Sequence, residues 1–172
     1  MTCARVARFL SAAAALAVIV GASQTSPSAQ APAPADLRKA LEGTWQLEEW
    51  HVGGKVIRPP QADGRWSNHD GIVMFVLHRT DTAESTLGYG VYQMTADTWG
   101  YQYLRMQTTN GPLEGPFKVG VNPPGQMRSF KVRREPGKVV LEGVGEDRRE
   151  YEGPFFTFMQ KGQIIRKWRR VP

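Results

Sequence analysis

The sequence predicts an all-β domain, a single antiparallel up-and-down β-barrel of about eight or nine strands over residues 41–172. After Gly43, no segment repeats its apolar residues with the period of about 3.6 residues that an amphipathic helix needs. Runs rich in β-branched and aromatic residues follow one another instead, and turn signals separate them about every 8–12 residues. Such a meander closes as a barrel or folds as a sandwich, and a barrel of about eight strands can hold one small ligand.

The N-terminal residues predict export. Arg5 and Arg8 precede an almost wholly apolar run over residues 9–20, and small residues follow it. This run is shorter than the roughly 20 residues that a helix needs to span a bilayer. We therefore predict a signal peptide over residues 1–22, with cleavage as late as residue 31 as the alternative. The protein is then expected to be secreted or periplasmic in a bacterial cell envelope, without stable membrane insertion once the signal is removed.

Residues 23–40 are predicted to join the signal to the barrel. Residues 23–35 are mostly Ser, Gln, Thr, Ala and Pro, a composition typical of a disordered spacer. Residues 36–41 can form one or two helical turns, with Asp36 as the N-cap and Gly43 as the stop. The barrel domain is predicted to begin at residue 41.

Composition and charge exclude several classes of protein. The one cysteine, Cys3, lies in the predicted signal, so the mature chain has neither a disulfide nor a thiolate metal ligand. The signal contains two arginines and no acidic residue, and removing it takes the formal net charge from +6 to +4. The basic residues at 133–134 and 166–170 are interleaved with apolar residues on predicted strands. We therefore expect no nucleic-acid partner.

Turn signals delimit the predicted strands. Gly53-Gly54 and Lys161-Gly162 are typical of tight turns. Residues 61–70 are polar and are predicted as a loop, and residues 110–126 as a long connection, with a short strand at 117–119. The other predicted strands cover residues 44–51, 55–58, 71–79, 86–95, 98–108, 127–134, 139–144, 148–159 and 164–171.

Three short motifs carry a resemblance to a known family. Residues 41–47, Leu-Glu-Gly-Thr-Trp-Gln-Leu, resemble the opening of lipocalin-like domains, in which Gly-x-Trp begins the first strand. The likeness continues in residues 88–92, Gly-Tyr-Gly-Val-Tyr, and in the basic-aromatic residues 166–170. The resemblance implies a bacterial lipocalin-like protein with a calycin barrel, closed at its lower end and open at its upper end to an apolar molecule. The sequence departs from the animal secreted lipocalins, because it has no second or third signature motif and no disulfide.

The lower end is predicted to be closed by Gly43, Trp45, Arg166, Trp168 and Arg170. Glycine lets backbone segments approach closely at the floor, and Trp45 then plugs the base. A cation over the indole adds about 0.5–2 kcal/mol. Arg166 and Arg170 share one strand face with Trp168, so either arginine can supply that cation.

Alternation along the first strand places Glu49 and His51 on the same face as Trp45. Both side chains are then predicted to point into the upper barrel, where they act as acid and base or bind the polar group of a ligand at the rim. His78, at the end of another strand, is a further candidate for the cavity or its mouth. No two histidines stand at i, i+2 or i, i+4, so no metal site is predicted.

Three tyrosines, Tyr92, Tyr101 and Tyr103, complete the predicted ligand-binding set. Tyr101 and Tyr103 alternate with Trp99 and so share one face of their strand. A tyrosine in a cavity offers an apolar body and one hydroxyl that can orient a ligand. The alternative for each tyrosine is an ordinary place in the core or in a cross-strand pair.

The expected function is that of a secreted or periplasmic binding protein that holds a small, largely apolar molecule in the barrel without a cofactor. The motifs of serine hydrolases, phosphate-binding loops and zinc proteases are missing from the sequence. Two alternatives stay open. One is a small barrel cyclase or isomerase with Glu49 and His51 as acid and base. The other is a structural envelope module whose own side chains fill the barrel.

Overall fold

A short helix and twelve strands make up the part of the chain that the computed structural model describes, residues 34–112, 114, 116 and 118–172. The predicted signal peptide and nearly all of the predicted spacer lie outside the described residues. A 3-10 turn (Val144–Glu146) precedes the tenth strand. The elements are α1 (Ala35–Leu41), β1 (Gly43–Val52), β2 (Lys55–Ile57), β3 (Ala62–His69), β4 (Ile72–Arg79), β5 (Ser85–Met94), β6 (Thr98–Asn110), β7 (Lys118–Asn122), β8 (Arg128–Glu135), β9 (Lys138–Gly143), β10 (Asp147–Glu152), β11 (Phe155–Gln160) and β12 (Gln163–Arg170).

Ten of these strands close into an antiparallel barrel. Each pairs with the next in the order β1-β3-β4-β5-β6-β8-β9-β10-β11-β12, and β12 pairs back with β1, so that Trp45 lies opposite Arg170. The other two strands stand outside the ring, with β2 on the C-terminal half of β1 and β7 on the C-terminal half of β6. The prediction of an all-β closed antiparallel barrel is confirmed, and its outline is consistent with a calycin-like barrel.

The barrel has more strands than the about eight or nine predicted, for two reasons. Residues 61–70, predicted as a loop, contain β3. Its inward positions are buried and are occupied by Ala62, Gly64, Trp66 and Asn68, while its outward positions are polar. Because two of the inward residues are Ala62 and Gly64, the segment has the composition of a loop and its alternation is hard to see. Residues 148–159, predicted as one strand, belong to the hairpin of β10 and β11.

Helix α1 covers the lower end of the barrel. Its Leu37 and Leu41 side chains are buried in the barrel core. The N-cap is Pro34 and not the predicted Asp36, which lies within the first turn, where its carboxylate faces the positive end of the helix dipole. The C-cap is Glu42, one residue before the predicted stop.

Arg170 ties helix α1 to the barrel floor. Its guanidinium lies 4.7 Å from the centroid of the Trp45 ring. A Cβ on Gly43 would come 2.8 Å from Arg170 Nη1, and Gly43 has a φ of +147°, so glycine leaves the room that this guanidinium occupies. The guanidinium also donates hydrogen bonds of 2.8–3.1 Å to three carbonyl oxygens at the end of the helix, those of Lys39, Ala40 and Glu42.

The substitution Arg170→Met is expected to lower the free energy of unfolding by about 2 kcal/mol, because it removes a cation from an indole face and from the carbonyl end of a helix. Equilibrium unfolding in guanidinium chloride measures the loss. Arg169→Met is the matched control, because Arg169 is exposed and its contacts lie on the outer surface. These are an ion pair with Glu48 and a cation–π contact with Phe155, and at exposed sites each is worth no more than about 1 kcal/mol. Equal losses for the two variants would show that Arg170 does not fasten the helix.

Candidate functional site

A cavity of about 540 Å³ occupies the barrel interior above the packed floor. Its walls come from seven strands, β3, β4, β6, β8, β10, β11 and β12, and they are dominated by rings. Several of these rings contact one another edge to face or tilted; Phe75 and Tyr103, for example, have centroids 5.1 Å apart. The apolar and aromatic lining residues are Trp66, Phe75, Tyr101, Tyr103, Met106, Phe156, Phe158 and Trp168.

The connection between β7 and β8 lies against the mouth of this cavity. Gly125 and Gln126 line the cavity, and two hydrogen bonds hold the segment to β6. The Gly125 N–H donates to the Tyr103 carbonyl at 3.0 Å, and the Gln102 side-chain amide donates to the Gly125 carbonyl at 2.7 Å. Part of the entrance is therefore made of backbone that is fixed to the barrel wall.

Arg149, on β10, points into the barrel and is 3% exposed. Its guanidinium carbon lies 4.7–5.4 Å from the centroids of five aromatic rings. The Nη2 atom donates a hydrogen bond of 2.8 Å to the Tyr101 hydroxyl. A buried arginine surrounded by ring faces is stabilised by cation–π attraction, which is stronger where water is excluded.

One buried carboxylate, that of Asp147, lies beside Arg149. Asp147 is 4% exposed and accepts a hydrogen bond from Arg128, and its Oδ1 atom lies 3.8 Å from Arg149 Nε, which is an ion-pair distance but too long for a hydrogen bond. Arg128 also donates to the Tyr101 hydroxyl at 2.9 Å. The hydroxyl of Tyr101 therefore accepts from two arginines, and its own O–H remains as a donor.

Arg166, on β12, is a third arginine in the lining. Its guanidinium carbon lies 5.2 Å from the Trp50 ring centroid and 5.9 Å from that of Phe158. Burial, with a smaller contribution from the charge of Arg149, lowers the pKa of Arg166 to about 10. That pKa is still far above neutral pH, so both arginines are cationic at pH 7.

Several hydrogen-bond donors in the cavity wall have no acceptor partner. Three of its residues, Trp66, Arg149 and Arg166, have buried N–H groups that meet no acceptor on the part of the chain that the structure describes. Among the described residues that line the cavity there is no Asp or Glu. Such donors cost free energy when they stay unpaired, so the cavity favours a guest with acceptor atoms.

The predicted orientation of Glu49 and His51 is wrong. The pairing of β1 with β12 shifts between Leu47 and Glu49, which is a β-bulge, and from there Trp50 is the residue that points inward. Glu49 and His51 lie on the outer side, where His51 Nε2 is 3.0 Å from a carboxylate oxygen of Glu49 and Arg58 donates to the other oxygen. Neither side chain lines the cavity.

The pairing of Glu49 with His51 and Arg58 makes the stability of the fold depend on pH. Hydrogen bonds from Arg58 and then from His51 lower the pKa of Glu49 below the usual carboxyl range. The ionised carboxylate therefore stabilises the fold at pH values above that range, and this contribution is lost as the pH falls through the lowered pKa. The pair has a structural effect that is separate from the cavity.

The other predicted site residues divide between the cavity and the rest of the barrel. Tyr101 and Tyr103 line the cavity, and burial raises the pKa of Tyr103 well above its usual value. His78 is exposed on the outer face of β4. Tyr92 lies near the helix cap, where its hydroxyl donates to a Glu42 carboxylate oxygen at 2.6 Å, and burial together with this bond raises the pKa of Tyr92 to about 12.

The five residues predicted to close the lower end of the barrel divide between that end and the cavity. Gly43, Trp45 and Arg170 meet at the lower end, as described above. Arg166 and Trp168 line the cavity instead, and Arg166 lies over Trp50 and not over Trp45. The sequence analysis did not predict Arg149 and Asp147 as site residues, because charged residues on a strand suggest an outward face. The available signal was their spacing, since residues 147, 149 and 151 share one face of the strand and Tyr151 favours the inner face.

A second hollow, of about 440 Å³, lies on the outside of the barrel. It runs over β4 and β5, where Met74 faces Tyr89 and Val76 faces Leu87, all of them exposed. This outer groove faces solvent, and Arg65 is the one charged residue among the described residues that line it. Any binding experiment on the cavity must therefore distinguish it from the outer groove.

No helix in the described part of the chain is both long enough and apolar enough to cross a membrane. Within residues 34–112, 114, 116 and 118–172, no three His, Cys, Asp or Glu side chains are grouped so as to hold a metal ion. No family model matches the chain, and neither a curated protein nor a solved structure is significantly similar to it.

Proposed function

We propose that this protein binds a small, largely apolar molecule inside its barrel, as an exported carrier of lipocalin-like type. The observation that carries the proposal is the cavity of about 540 Å³ with its predominantly aromatic wall. Ligand sites are typically concave, mostly apolar and about 300–1,000 Å³ in volume, with a few polar groups that fix orientation.

The division of the barrel into a filled half and a hollow half supports the same proposal. At the base of the cavity, Phe156 packs ring against ring with Trp45 and Tyr151, and the rings of Tyr151 and Phe156 are stacked at 4.6 Å. Above that floor, side chains leave the cavity open. This distribution favours a binder over a structural module whose barrel is filled throughout.

The cyclase or isomerase alternative required Glu49 and His51 to point into the barrel, and they do not. Acid–base catalysis requires the two groups to reach the substrate within hydrogen-bond distance. Glu49 and His51 do bond to each other, but on the outer surface beside Arg58. We therefore propose binding without catalysis by this pair.

The test is titration with the neutral fluorophore N-phenylnaphthylamine, followed by its emission and by calorimetry. One molecule is expected to bind per chain, and Met106→Trp, which fills the cavity, is expected to weaken binding by at least about tenfold. Leu104→Trp is the matched control, because Leu104 is exposed on the same strand and is not a lining residue.

A second control addresses the outer groove. Val76→Gln makes the groove polar and is expected to leave the affinity unchanged. Absence of saturable binding in the unaltered protein contradicts the proposal. So does a loss of binding in the Val76 variant with none in the Met106 variant, because the fluorophore would then occupy the outer groove.

A further inference from the structure

The three arginines of the cavity outnumber the carboxylates near them. Asp147 is shared between Arg128 and Arg149, and Arg166 forms no ion pair with a carboxylate of the described residues. Arg128 is about half exposed, so its charge is partly solvated. The interior therefore holds two cations, the buried Arg149 and the partly buried Arg166, against one buried anion. A net positive charge in a low-dielectric interior is unfavourable unless an anion joins it.

The two inner arginines lie close to the same ring. The guanidinium carbons of Arg149 and Arg166 are 5.4 Å and 5.9 Å from the centroid of Phe158. Both residues line the cavity, and both have a buried N–H without an acceptor on the described chain. Arg149 is 97% buried and cannot turn its charge to solvent, since five rings, that of Tyr101 among them, enclose it.

From these contacts we infer that the ligand is an organic anion, an apolar body with one anionic oxygen group such as a carboxylate, held by Arg149 and Arg166. The inference rests on the proposed function and adds the chemical class of the ligand. The anion would accept hydrogen bonds from the two guanidinium groups, with the Trp66 indole N–H as a further donor at the same cavity. The aromatic wall would cover the apolar body.

Charge-assisted hydrogen bonds of this kind are the strong ones, particularly where water is excluded. They also explain how a cavity with few neutral polar groups can fix the orientation of a ligand. The alternative for the two arginines is a purely structural role, in which they pack on ring faces. That role predicts no preference between a charged and a neutral ligand.

The test compares two probes that share the same aromatic body. N-phenylnaphthylamine is neutral, and anilinonaphthalenesulfonate carries one added sulfonate. The unaltered protein is expected to bind the sulfonate probe at least about tenfold more tightly. Arg166→Met is expected to reduce this preference to within about threefold while the neutral probe still binds, and Arg166→Lys, which keeps the charge, is expected to retain part of it.

Arg105→Met is the matched control, because Arg105 is exposed on the outer side of β6 opposite Tyr89. It is expected to leave both affinities unchanged, which excludes a surface effect of the sulfonate. Competition between naphthoate and naphthalenemethanol then tests the carboxylate. Naphthoate is expected to displace the sulfonate probe at a concentration at least about tenfold lower than the alcohol.

The outcomes separate this inference from the proposed function. Equal binding of the two probes to the unaltered protein overturns the inference and leaves the proposed function standing. A preference that survives Arg166→Met, or that disappears with Arg105→Met, also overturns it. If neither probe binds, the proposed function fails and the inference with it. The comparison on the unaltered protein decides the question even if a variant does not fold.

Discussion

Replacement of Trp45 by alanine is expected to lower the free energy of unfolding by about 3–5 kcal/mol, the range for removing a large aromatic side chain from a core. Trp45 is 1% exposed and lies edge-on to Tyr151 and Phe156, with centroids 5.6 Å and 6.1 Å away. It also lies in the hydrophobic core and contacts the guanidinium of Arg170. The substitution therefore removes apolar burial, two ring contacts and a cation–π contact at one site.

The measurement is the midpoint of unfolding in guanidinium chloride, read by circular dichroism, with an unchanged slope as the sign that the native and unfolded states are otherwise comparable. Tyr89→Ala is the matched control. Tyr89 is about half exposed on the outer face of β5, and its loss is expected to cost less than about 1 kcal/mol. A cost below about 1 kcal/mol for the Trp45 variant would show that the floor can repack without the indole.

Gly90→Ala is expected to destabilise the barrel by about 3 kcal/mol, near the upper end for overpacking. A Cβ on Gly90 would come 1.9 Å from the Gln102 carbonyl oxygen and 2.8 Å from the Tyr103 Cα. These atoms belong to the backbone of the paired strand and cannot rotate away as a side chain can. The register of β5 against β6 shifts between Tyr89 and Gly90, so the close approach is part of a bulge.

Gly125→Ala provides the control for this substitution, because a Cβ on Gly125 meets nothing within 4 Å and its backbone is not in the left-handed region. The control is expected to change stability by less than about 0.5 kcal/mol. Thermal unfolding of the two variants, side by side, gives the comparison. A Gly90 variant as stable as the control would mean that β5 and β6 can separate locally at low cost.

Much of the architecture follows from patterns that are visible in the sequence. The alternation in β5 and β6 and the Gly53-Gly54 and Lys161-Gly162 turns predict an antiparallel all-β meander, which closes as a barrel or folds as a sandwich. The resemblance of residues 41–47 to lipocalin-like domains favours the barrel. The strand count was low because β3 combines polar outward positions with small inward ones. No rule of local composition distinguishes such a strand from a loop; its identity depends on the pairing of Trp66 with Trp45 on one side and Phe75 on the other.

The candidate site was less accessible to sequence reasoning. A single extra residue in β1 reverses the face of every residue after it, which is why Trp50 occupies the inward position that alternation assigns to Glu49 and His51. Arg149 was missed for a different reason. Burial of an arginine needs ring faces from several other strands, and these are brought together only by the closed barrel. Tyr101 and Tyr103 were recognised because their strand has no bulge between them and Trp99.

The pairing of β1 with β12 has a consequence for how the chain reaches its native state. The contact between Arg170 and the Glu42 carbonyl joins positions 128 residues apart, so the barrel closes only after its last strand has been made. Until then, β1 presents an unpaired edge to other chains, with the hazard of aggregation that such an edge brings. Contacts this distant in sequence are also associated with slow folding. A partly synthesised chain therefore has an open sheet edge until β12 is complete, and the hazard of aggregation lasts as long.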